Sequence, residues 1–198
     1  VTIGVIVAFM TYVNRFFVPI RQLSQIFATL QESLVPHPES TELWYQLGVA
    51  AEAKKDDEVR TRAFRRVWDL DQAMLPHMEP VVDDAFLRQT LQEAIETLPP
   101  IAQRALGASE LRLADYPDAW ILDTELGDPR VLLIIEAAPY VGDSGRRAAS
   151  TITLYRWNLA RYCDTPEEAR TTLVGAIKDE VEILLGLEQD GLHYEGLG

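Results

Sequence analysis

The amino-acid sequence predicts an α+β fold, and three observations predict it. Phe86, Leu87, Leu91, Ala94, Ile95 and Leu98 recur at three- and four-residue intervals, the stripe of an amphipathic helix. Three short segments downstream switch to strand patterning: SELRLADY at 109–116, VLLIIEAA at 131–138 and STITLYR at 150–156. A capped helix then follows from Thr165. Strands set between helices without a regular strand–helix alternation favour a small sheet over a doubly wound one.

Taken in order, residues 1–33 read as one long helix with a kink at Pro19. LVPHPES at 34–40 is a linker with two prolines. Residues 41–75 read as a helical hairpin whose charged turn is KKDDE. A further unit is expected over 81–198. In it Asp83 or Asp84 caps the 86–98 helix and Pro99-Pro100 stops it, while Gly107 ends a short extra turn. Leu111 and Leu113 alternate with polar neighbours, as do Ile152 and Leu154, and the 131–138 run is apolar enough for a buried strand. At the last helix, Thr165 is the expected N-cap, Pro166 the first helical residue and Glu168 the capping-box partner, with Gly186 as terminator. Its apolar side runs through Leu173, Ile177, Glu180 or Val181, and Leu184.

Composition narrows the function. At 198 residues the chain fits one domain plus an appendage, or two small units. A net charge of −13 argues against nucleic acid, whose phosphates require clustered Lys and Arg. The single Cys163 forms no internal disulfide and reads as a small semi-buried residue. Trp44, Trp68, Trp120 and Trp157 read as core or interface anchors. No G-x-S-x-G elbow accompanies the serines, and Asp115, Asp118 and Asp123 read as surface acids. The chain opens at Val1 without Met, as a fragment or processed product would. Its first thirteen residues are apolar, but Asn14 and Arg15 interrupt them before the roughly 20 that a spanning helix needs. No basic leader or small-residue cleavage site marks a signal peptide.

Three stretches resemble known families. The apolar opening leading into RFF-V-PI-R-QLSQ resembles the last transmembrane helix of ABC exporter membrane domains. No G-x-x-x-x-G-K-[ST] loop follows, so no ATPase is implied. This resemblance implies either a borrowed membrane anchor or a foreign, fused segment over 1–33. Trp44, Leu47 and Gly48, with Phe64 and Leu70-Asp71, resemble one tetratricopeptide repeat, although Gln72 replaces the usual Pro and Ala51 the usual Tyr. One such repeat leaves an apolar face needing a neighbour, and a plain helical hairpin with the same spacing is the alternative.

STITLYRWNLARYC, the TPEEAR helix start and the tail LLGLEQDGLHYEGLG resemble the small bacterial zincin-like metallopeptidases. That family carries H-E-x-x-H-x-x-G on the corresponding helix, two His binding zinc and the Glu serving as general base. With Gly186 setting the register, Asp179 takes the first His position, Glu180 the general-base position and Ile183 the second His position. The acidic third ligand falls on Gln189. The resemblance therefore implies a former zinc helix, with zinc lost, no cofactor expected and Glu180 inactive. The implied role is a non-catalytic binding or scaffold module, whose partner is an unidentified protein or a second copy. Two alternatives stand beside it: a metallopeptidase with an altered site around Asp179, Glu180 and His193, and a membrane-anchored module related to an exporter. His37 and His77 lie far from that helix in sequence. Residues 34–198 are expected in the cytoplasm, with membrane association only through residues 1–33.

Overall fold

A computed structural model describes residues 24–75, 79–124, 127–137 and 149–185. The chain is α+β, and it divides into two compact units. The first comprises residues 1–76 together with Ala119–Pro129; the second comprises His77–Asp118 and Arg130–Gly198.

In the first unit, helix α1 is described over 24–34, followed by α2 (Thr41–Ala53) and α3 (Asp57–Met74). Each of the latter two begins at a side chain that satisfies an otherwise orphaned amide. Ser40 Oγ accepts from Leu43 N at 3.3 Å, and Asp56 Oδ1 from Val59 N at 3.2 Å. The stretch expected to be a linker is a pair of turns, and Trp44 Nε1 donates to Pro38 O across it at 2.9 Å. Between α2 and α3 the chain reverses through Lys55, whose φ is +59°. Asp56 N donates to Ala51 O and Lys55 N to Glu52 O, both at 2.9 Å, which is the Schellman pattern of a helix end. The core joins Phe27 and Leu34 from α1 to Leu47, Ala50 and Ala51 from α2 and Ala63 from α3. Helix α3 continues past Leu70-Asp71 to Met74, and Asp71 is buried. A 3-10 turn, Ala119–Asp123, packs on α3 with Ile121 and Leu122 inward.

The membrane expectation is corrected here. Among the described residues no helix is long and apolar enough to cross a membrane. Residues 1–23 of the exporter-like stretch lie outside the described residues. In the part that is described, Phe27 is buried against α2 and α3, so its apolar surface faces protein rather than lipid. The exporter-like assignment, the membrane partner and the membrane localisation therefore have no support in the fold.

The second unit contains α4 (Asp84–Thr97), α5 (Pro100–Leu106), β1 (Glu110–Ala114), β2 (Leu133–Ala137), β3 (Ala149–Tyr155), α6 (Arg156–Tyr162) and α7 (Pro166–Leu185). Asp83, rather than Asp84, caps α4: its Oδ1 accepts from Phe86 N at 2.8 Å. The sheet order is β1-β3-β2, with β3 central, parallel to β1 and antiparallel to β2. Leu133 pairs with Leu154 and Ile135 with Ile152, and the register shifts at Glu136/Ala137. Leu87, Leu91 and Ala94 from α4, and Leu98 just beyond its end, meet Leu133, Ile152 and Leu154 of the sheet and Ala169, Leu173, Ile177, Val181 and Leu184 of α7 in one core. Val181 is fully buried and Glu180 is half-buried, which settles the side of α7 that faces inward. Helix α6 has no counterpart in the sequence patterning, because it follows β3 directly without a side-chain cap.

Candidate functional site

The carboxy-terminal half of α7 is where sequence places the chemistry, and its start is tightly specified. Thr165 Oγ1 accepts from Glu168 N at 3.3 Å, while Glu168 Oε2 accepts from Thr165 N at 3.2 Å and Asp164 N at 2.8 Å. These contacts hold the Glu168 carboxyl below the usual carboxylate range, the Asp164 amide contributing most. One turn later, the Cys163 thiol donates to Thr172 Oγ1 at 3.4 Å, and Cys163 is buried. A glutamate on α4 anchors the second turn of the helix. Glu93 pairs with Arg170, whose guanidinium also lies 5.3 Å from the Phe86 ring centroid. Glu93 is held below the ordinary glutamate range by its bond from Gln89 first and by Arg170 second.

Beyond this, the candidate residues do not converge. Asp179 and Ile183 lie one turn apart and both are exposed, Ile183 at 47%. Glu180 and Glu182 are half-buried. Gln189 and His193, and with them the terminator Gly186, lie outside the described residues. Among the described residues, no three His, Cys, Asp or Glu side chains are grouped so as to hold a metal ion. Ile183, the residue in the second His position, contributes no donor and faces outward instead of into a cleft.

Sequence reasoning missed the second unit's main polar junction. Arg156, at the start of α6, donates from Nη1 to Asp84 Oδ1 at 2.7 Å and from Nη2 to Asp115 Oδ1 at 2.6 Å. One guanidinium thereby ties the start of α4 to the end of β1, and Trp157 N donates to Asp115 O at 3.1 Å beside it. Both acids were visible in sequence as caps or surface charges, but their shared partner lies 72 and 41 residues away. Next to it, the Tyr155 hydroxyl is pushed up to about 12 by burial first, then by Asp118 and Glu136, so at neutral pH it is protonated and no base. Of the four tryptophans, none is buried, and Trp120 is 48% exposed.

The first unit carries a different feature. On the outer side of α1 an open hollow of about 480 Å³ is lined by Gln25, Ile26, Thr29 and Leu30. Ile26 is 54% exposed, whereas Phe27 beside it is buried and Leu30 packs on the core. The same few residues thus serve the interior with one side of the helix and leave apolar surface on the other. Sequence patterning pointed elsewhere because QLSQ and its neighbours were grouped with the exporter-like run.

No family model matches the chain. No curated protein matches it either. The zincin-like metallopeptidase membership and the exporter relationship are corrected accordingly, and no match supports reading α7 as a former zinc helix. The tetratricopeptide assignment also lacks a matching family model; what the structure contains is a helical hairpin.

Proposed function

We propose that the chain is a non-catalytic binding or scaffold module that engages protein through its helical first unit. The observation that carries this reading is the hollow beside Ile26, where apolar surface is open on a helix whose opposite side is committed to the core. Protein partners are favoured over nucleic acid by the net charge of −13. The non-catalytic part of the reading rests on the chemistry of α7, where the exposed Ile183 offers no ligand atom one turn from Asp179. A second copy of the chain is the occupant to test first, because every copy carries the exposed apolar side chain of Ile26 and a two-fold pairing would cover both at once.

Sedimentation equilibrium of the full chain tests this reading. Reversible self-association is expected, and Ile26→Glu should weaken it by about tenfold or more, equivalent to about 1.4 kcal/mol. Ile26 is exposed, so the variant should melt like the parent. A chain that stays monomeric at all concentrations, or self-association indifferent to Ile26→Glu, would overturn the self-pairing form of the proposal.

A further inference from the structure

We draw no further inference here: the strongest candidate, the apolar hollow beside Ile26 on the outer side of α1, belongs to the site already described, and nothing in the structure shows what covers it.

Discussion

Gly48 of α2 lies directly against the ring of Phe64 of α3, so close that a Cβ at residue 48 would fall 2.3 Å from Phe64 Cε1. Glycine is needed here for the approach of two helices, since any side chain would have to displace a ring that is itself 1% exposed. Gly48→Ala is therefore expected to destabilise the first unit by about 1–3 kcal/mol despite the better helix propensity of alanine. Chemical denaturation of parent and variant measures this; equal midpoints would mean that Phe64 moves freely.

Lys55 occupies the opposite situation. Its φ of +59° places an L-residue in the left-handed region at the end of α2, where the Schellman bonds hold it. Lys55→Gly should relieve that strain and raise stability by about 0.5–1 kcal/mol after the added chain entropy of glycine is subtracted. A lower melting temperature for this variant would show that the lysine side chain contributes more than its backbone costs.

At the start of α7 the capping box predicts a pH dependence. Glu168 binds a proton more weakly in the folded chain than at its ordinary value of 4.5, chiefly because the Asp164 amide donates to the carboxylate. Its contribution is thus present above about pH 4.5 and is lost as the pH falls through the lower folded value. Glu168→Gln keeps an acceptor but removes the charge, so the variant's stability should fall less steeply with acid. Parallel slopes below pH 5 would refute the assignment, because about pH 5 is where a carboxylate of this kind begins to protonate. Thr165→Ala, which removes the reciprocal cap, should cost about 1 kcal/mol and make that slope somewhat shallower, because the Thr165 hydroxyl is one of the groups that hold the Glu168 carboxyl low.

Arg156 tests whether the second unit depends on a fork or merely a charge. Arg156→Lys retains the cation but reaches only one of Asp84 and Asp115 in the same geometry. A loss of about 1 kcal/mol, diminishing at high salt, is expected because the pair is partly exposed. Wild-type stability in the lysine variant would show that a point charge suffices.

Much of the local structure was legible in the sequence. Asp83, Thr165, Pro166 and Glu168 announce helix starts because capping bonds join residues three or four apart. The alternation around Leu111, Ile152 and Leu154 announces strands, because period two is a local property. Only the tertiary structure could decide the rest. The parallel pairing of β1 with β3, the placement of Ala119–Pro129 with the first unit, and the reach of Arg156 to Asp84 and Asp115 all depend on contacts between residues distant in sequence. Helix α7 shows the division most clearly. Its cap and apolar period could be read from the sequence, but packing on α4 and the sheet chose Val181 over Glu180 as the inward residue and left Asp179 and Ile183 facing out. A motif-like spacing sets which side chains share a helix face; burial of the apolar stripe decides whether that face meets a cleft or water.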